Sequence, residues 1–274
     1  MQRIGGRHGN ACGLPADTQG GACPAGGQAF AGDFVSQATD ACGTTATGYD
    51  ADPSPWTPNC MRILLARHGE TPWNAEGRYQ GQIDIPLSPV GEAQARALGE
   101  RLQSIEITRA VASPLSRAQS TARAALRSAR ASMLQTDADL QEIAHGEWEG
   151  LLASEINDKD PARLRAWREE PDTVLMPGGE SLRQVLDRSW RGLARAAEGL
   201  GADDTLLVVA HDAVNRVILC KVLGLPIGKL WTFRQAPTTL NLLEGPDVEH
   251  LEVVRLNDCA HHTPFFGEAK HRAL

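Results

Sequence analysis

Three short apolar runs, each passing straight into a helix-forming stretch, constrain this chain more than any other feature. Residues 63–66 (ILLA), 110–113 (AVAS) and 205–210 (TLLVVA) lack the apolar–polar alternation of a strand with one wet face. Such runs read as strands buried on both sides, and a parallel sheet covered by helices is where that burial occurs. The rest alternates accordingly, with helices expected over 88–103, 114–128, 153–170, 181–198 and 213–223 and further strands over 133–136, 239–244 and 250–256. This alternation predicts an α/β fold, a three-layer α/β/α sandwich with a mostly parallel central sheet. The helical stretch between Glu142 and Ser181, ending in MPGGES, is expected to lie over the pocket as a cap.

Open α/β sheets bind ligands beyond the carboxyl ends of their strands. Arg67 and His68 follow the first run in RILLARHGETPWN, Arg117 falls in the first turns of a helix that Ser113 and Pro114 can start, and His211 and Asp212 follow the third run. Taken singly, each has a bland reading as a solvated helix arginine or a capping histidine. Together they bring cationic and imidazole groups to three strand ends. RHGETPWN, SPLSRAQST, EIAHGEWEG and VAHDAVNR resemble, in order and spacing, the signature segments of the histidine phosphatase superfamily, also called the phosphoglycerate mutase-like family. The resemblance runs from about Met61 to the C-terminus and is specific because four dispersed segments agree. RHG alone is weak: it recurs at Arg7, His8 and Gly9 in Gly-rich sequence that follows no apolar strand, where it reads as chance.

The implied chemistry can be rebuilt from the side chains. A neutral nitrogen of His68 can attack phosphorus in line, and the resulting phosphohistidine divides one difficult displacement into two easier ones. Phosphoryl transfer needs mainly positioning and neutralisation of charge on the equatorial oxygens. The sequence offers no acidic metal cage, so Arg67 and Arg117 are expected to neutralise that charge with planar donor forks, with His211 as a further donor and no metal or cofactor. The resemblance adds Thr71, Asn74 and the Gln80-Gly81 backbone to the phosphate cradle, and Asp212 is taken with the substrate-binding set.

An alkoxide is a poor leaving group, so a general acid must protonate the bridging oxygen. Glu142 opens EIAHGEWEG, the segment where the family carries its acid; Glu147 and Glu149 compete for the role and otherwise serve the turn around Gly146 and Gly150. NDCAHHTPFFGEAKHRAL, WREEPDTVLMPGGES and EIAHG resemble the metal-independent phosphoserine phosphatases of the same superfamily. That likeness places His145 near a substrate carboxylate, against a plain reading as a turn residue packed on Trp148. The leading function is therefore a phosphomonoesterase of a small phosphorylated metabolite, phosphoserine-like. Competing readings are an α-ribazole phosphate or sugar-phosphate phosphatase, a phosphoglycerate mutase, and a catalytically silent regulatory domain. EGRYQGQID stands where mutases of the family read NRFxGWxD, and the nucleophile, both arginines and the second histidine are all present.

The first sixty residues are a different material. They contain no Lys and no Glu, hold four of the six Cys, and show no sustained period. A disordered leader over 1–60 and a histidine phosphatase domain over 61–274 are expected. Either Met61 is the natural start and the leader is translated upstream sequence, or the leader is regulatory. The spacing of Cys12, Cys23, Cys42 and Cys60 fits neither a metal site nor a disulfide framework, and Cys220 reads as a core thiol in a reducing compartment. The C-terminal Cys259, His261, His262 and His271 do not have the spacing of a structural zinc site. With a net charge of −7 and no apolar run of bilayer length, a cytoplasmic enzyme is expected, with no nucleic-acid or membrane partner and a homodimer left open.

Overall fold

The computed structural model describes residues 60–127, 130–131 and 133–262. The expected leader up to residue 59, the second RHG and His271 lie outside the described residues. In chain order the regular elements are β1 (Met61–Arg67), α1 (Pro72–Glu76), α2 (Pro89–Leu102), β2 (Glu106–Ile107), β3 (Arg109–Ala112) and α3 (Ser116–Leu126). They continue as β4 (Arg130–Ala131), β5 (Leu134–Thr136), α4 (Ala153–Lys159), α5 (Pro161–Glu169), α6 (Leu182–Ala197), β6 (Thr205–Ala210), α7 (Asp212–Val222), β7 (Leu240–Gly245) and β8 (Glu252–Asp258).

The sheet is six-stranded in the order β5-β3-β6-β1-β7-β8. Its first four strands run parallel, and β7 and β8 continue it antiparallel, so the expected mostly parallel sheet is present. The period of two explains why the central runs are apolar throughout. Ile63, Leu65, Val111, Leu206, Val208 and Ala210 enter one core with residues of α6 and α7. Leu64, Ala66, Ala110, Ala112, Leu207 and Val209 enter a second core with Leu98 and Leu102 of α2 and Ala118, Ala122 and Ala125 of α3. Each buried Leu, Ile or Val contributes about 1.5–3 kcal/mol over leaving it exposed, and both faces of the sheet collect that term. A polar residue in the middle of β6 would therefore be costly on either face.

The helix expected over 153–170 is two helices. Asp160 closes α4 through its backbone N–H to the Ile156 carbonyl, and its carboxylate then caps α5 by accepting the Arg163 N–H at 3.3 Å. Pro161, lacking an N–H, cannot extend α4 but fits the first turn of α5. Helix α3 starts at Ser116 rather than at Pro114. The final strand starts at Glu252, because Asp247 first caps a single turn over Val248–His250.

The excursion carrying α4 and α5 closes on itself. Glu180 N–H donates to the Ala144 carbonyl at 2.9 Å, Ala144 N–H donates to the Glu180 carboxylate at 2.9 Å, and Glu147 N–H donates to the Pro177 carbonyl at 2.9 Å. Ile156, Leu164, Trp167 and Met176 are buried in the same core as β1 and β6, so the excursion is joined to the sandwich.

Candidate active site

Three strand ends, the stretch from Asn74 to Gly81 and the segment after β5 supply the site. His68 follows β1 and continues the β1–β6 ladder by donating its N–H to Ala210 at 3.0 Å. Its ring Nδ1 lies 2.6 Å from the Gly69 carbonyl. A carbonyl only accepts, so Nδ1 carries a proton and Nε2 is the ring nitrogen that holds the lone pair in the neutral imidazole. Behind it, Thr121 of α3 accepts the Gly69 N–H at 3.0 Å and donates to the Arg117 carbonyl at 2.8 Å, tying the turn to the helix that carries Arg117.

The rings of His68 and His211 stand 5.1 Å apart, centre to centre. Both arginines of the sequence expectation are buried beside them. Arg67 donates to the Gln235 carbonyl at 2.6 Å and to Asp212 at 3.4 Å. Arg117 donates to the carbonyls of Ile83 at 2.8 Å and Gly81 at 2.7 Å. Burial lowers the Arg117 pKa to about 10, against the opposing charges of Glu142 and Asp84, so it stays charged at neutral pH. Four buried nitrogens here have no hydrogen-bond partner among the described residues: Nε of Arg67, Nε of Arg117, Nδ1 of His211 and Nδ1 of His145. Buried polar groups left unpaired are costly, and their clustering marks a place built to receive a ligand rather than a finished core.

Thr71 sits behind the cleft and orders two residues that line it. Its N–H donates to Oδ1 of Asn74 at 3.0 Å, and its hydroxyl donates to Oε1 of Gln80 at 2.8 Å while accepting the Asn74 N–H at 3.1 Å. With both amide oxygens occupied, the amide nitrogens of Asn74 and Gln80 are the atoms left to donate elsewhere. Gly81 completes the turn at φ 54, where a Cβ would come within 1.9 Å of Glu149 Oε1. That same oxygen accepts the N–H of Gln82 at 3.0 Å and of His145 at 3.1 Å, so Glu149 fastens the Gly81 loop to the acid segment.

Glu142 is buried, and its two oxygens accept the N–H groups of Ile143 at 2.9 Å and Asp212 at 3.1 Å. Burial, and then the neighbouring Asp212 charge, push its carboxyl above the usual range against the Arg117 and Arg67 charges. Asp212 lines the cleft too, but its carboxylate is engaged by Arg67 at 3.4 Å and Arg216 at 3.1 Å. His145 lies at the cleft with its ring edge-on to Tyr79 at 5.0 Å and Trp167 at 5.9 Å; Trp148 instead packs on Tyr79 at 5.6 Å. Burial lowers the His145 pKa to about 3 and raises that of Tyr79 to about 12, so both rings are neutral.

The cleft thus gathers Arg67, His68, Asn74, Gln80, Gly81, Arg117, Glu142, His145 and Asp212, with Thr71 and His211 behind them. Arg78 and Tyr79 also line it and were not singled out from the sequence, although they stand in the GRYQGQ stretch directly before Gln80. Arg188, Ser113 and Gln235 support site residues from outside the lining and carry no sequence signal of that role. Among the described residues, no group of three or more His, Cys, Asp or Glu is placed to hold a metal ion, and no helix is long and apolar enough to cross a membrane.

The chain is similar to known proteins in sequence and in fold. The family profile described as histidine phosphatase superfamily, branch 1, matches residues 63–259. Phosphoserine phosphatase 1 of Hydrogenobacter thermophilus is 32% identical over 214 residues, spanning 78% of this chain and 100% of that protein. Among solved structures, Bacillus stearothermophilus YhfR superposes with a TM-score of 0.67 at 29% identity, covering 73% of this chain and 98% of its own. A mycobacterial glucosyl-3-phosphoglycerate phosphatase superposes with a TM-score of 0.65 at 29% identity, covering 72% of this chain and 99% of its own.

Proposed function

The chain belongs to the histidine phosphatase superfamily, branch 1, and from that premise we propose that it hydrolyses a small phosphorylated metabolite, a phosphoserine-like monoester, through a phosphohistidine at His68. One observation carries the reading. Arg67 and Arg117, each with an Nε that has no partner among the described residues, line the cleft with His68 and the amides of Asn74 and Gln80, and His211 stands behind His68 with an unpartnered Nδ1. A phosphate dianion satisfies those donors together, and the two guanidinium groups neutralise its charge as the bond to phosphorus changes.

In the first step Nε2 of His68 attacks phosphorus, the ester P–O bond breaks, and the Glu142 carboxyl gives its proton to the departing alkoxide. In the second the Glu142 carboxylate takes a proton from water, the hydroxide oxygen bonds to phosphorus, and the P–N bond breaks to return neutral His68 and inorganic phosphate. The environment of Glu142 favours the protonated form that the first step needs. Asp212, an anion paired to Arg67, orients that guanidinium and is not itself a donor to phosphate.

The preference for a phosphoserine-like ester is supported by the full-length match to a phosphoserine phosphatase and by the neutral His145 near the acid, able to receive a substrate carboxylate. Cytoplasmic residence, a homodimer left open, and a metabolite as partner in place of nucleic acid or membrane belong to the same proposal. A panel of phosphate esters assayed for phosphate release, with phosphoglycerate isomerisation measured in parallel, tests it. Release from phosphoserine with label trapped on His68 is the expected result. Isomerisation outpacing release would mean a mutase, and label on His211 would overturn the nucleophile assignment.

A further inference from the structure

We infer that Arg188 and Glu180 form a clasp that positions the general acid, so that the return of the α4–α5 excursion sets the geometry of Glu142. The inference rests on Glu142 being the proton donor. Arg188 lies on α6 and spends its guanidinium almost wholly on the acid segment: it donates to the carbonyls of Asp139 at 2.9 Å, Gln141 at 2.5 Å and Glu142 at 2.9 Å. The remaining donors form a two-point pair with Glu180, both distances 2.8 Å. Glu180 in turn accepts the Ala144 N–H at 2.9 Å while its own N–H donates to the Ala144 carbonyl at 2.9 Å. The backbone is thus held on both sides of Glu142, at 139–142 by the arginine and at 144 by the glutamate.

Two further arginines of α6 face the same segment but do different work. Arg191 pairs with Asp139 and Arg195 with Asp137 and Asp139, through guanidinium groups on side chains that are 59% and 47% exposed. Exposed ion pairs of this kind contribute little. Arg188 alone of the three reaches main-chain carbonyls of the acid turn, and its side chain is only 13% exposed. A planar fork with five N–H donors can serve three carbonyls and a carboxylate at once; an ammonium cannot. Glu142 itself satisfies Ile143 and Asp212 N–H groups, so a shift of this turn moves the carboxyl away from the leaving oxygen without removing it from the site.

The test is leaving-group dependence. Arg188→Lys and Glu180→Gln are each expected to lower kcat on an alkyl phosphate by about 10- to 100-fold, the scale of displacing a catalytic group by ~1 Å. Turnover of p-nitrophenyl phosphate, whose phenolate leaves without an acid, should change less than about threefold. In a Glu142→Gln background the alkyl-phosphate loss from either change should vanish, while Arg191→Ala should be silent throughout. Equal losses on both esters, or losses that add to that of Glu142→Gln, would show a merely structural clasp and overturn the inference. Glu142→Gln alone without leaving-group dependence would overturn the acid assignment first. Intact p-nitrophenyl turnover certifies folding of each variant, and the two variants test the clasp from opposite sides.

Discussion

Ser113 Oγ lies 2.7 Å from Nε2 of His211, with both residues fully buried. The same oxygen accepts the Leu115 N–H at 3.3 Å, and among the described residues the hydroxyl has no other acceptor than this ring nitrogen, so the arrangement that satisfies both groups has the hydroxyl donating and Nε2 accepting. His211 therefore carries its own proton on Nδ1, the nitrogen without a partner among the described residues. Burial, with the Arg117 charge next, holds its pKa well below the usual histidine range, so the ring presents one N–H and no net charge. Ser113, at the end of β3, sets the tautomer of a residue at the end of β6.

Ser113→Ala should release that tautomer. The expected result is a kcat lower by about tenfold, the cost of losing ~1.4 kcal/mol of transition-state stabilisation, together with a lower thermal midpoint, because the buried Leu115 N–H and His211 Nε2 both lose their partner. Nitrogen-15 spectra of the imidazoles offer a direct check: His211 should show protonated Nδ1 in the native protein and a mixture in the variant. A native spectrum with the proton on Nε2 would refute the assignment.

What was legible in the sequence follows from where the signals are local. Apolar runs reveal β1, β3 and β6 because both faces are buried, and strand ends single out Arg67, His68, Arg117 and His211, which the fold brings together, because open α/β sheets bind ligands at that edge. The break at Asp160-Pro161 was also written locally, and the expectation of one continuous helix missed it by giving periodicity precedence over proline. Arg188 was not legible. Its role depends on carbonyls 46 to 49 residues away, and a backbone acceptor has no side-chain signature. Arg78 and Tyr79 were invisible for a related reason: only the fold at Gly81 turns their stretch into the cleft wall.

Acid should weaken the fold through His145. Its pKa is about 3 in the folded protein, against the ordinary 6.5, so the unfolded chain binds the proton more tightly. Stability from this group is fully present above about pH 6.5 and is lost as pH falls toward 3, at about 1.4 kcal/mol per pH unit. Urea unfolding at pH 7 and pH 5 should differ by roughly 2 kcal/mol less in His145→Asn than in the native protein. An unchanged difference would mean the ring is protonated or exposed in the folded state.

Chelators should leave activity intact. The charge on the transferring phosphoryl group is assigned to Arg67 and Arg117, with His211 adding an N–H, and none of these depends on a bound ion. Turnover of phosphoserine after exhaustive EDTA treatment should stay within about twofold of the starting value. Loss restored by Mg²⁺ or Zn²⁺ would overturn that assignment.

Glu142, proposed to supply the proton, should cost the fold stability. Burial and Asp212 raise the Glu142 pKa in the folded protein, so the sign is opposite to that of an ordinary paired carboxylate: its stabilising contribution is present below the unfolded value of 4.5 and is lost as pH rises through the folded pKa. Glu142→Gln removes a buried group under pressure to ionise but turns an amide N–H toward one of the two backbone N–H groups the carboxyl accepts, a cost that does not vary with pH. The thermal midpoint of the variant relative to the native protein should therefore be higher at pH 8 than at pH 4, by about 2–4 °C for each kcal/mol of ionisation pressure relieved. Turnover should move the other way, falling by roughly 10²- to 10⁴-fold on alkyl phosphates, the range for a lost general acid, and far less on p-nitrophenyl phosphate. The basic limb of the kcat–pH profile on alkyl phosphates, which reports deprotonation of the acid, should disappear with it. A variant whose relative midpoint does not rise from pH 4 to pH 8 and that is equally impaired on both esters would show that Glu142 holds the turn rather than the proton, and Glu147 would be the next carboxyl to test.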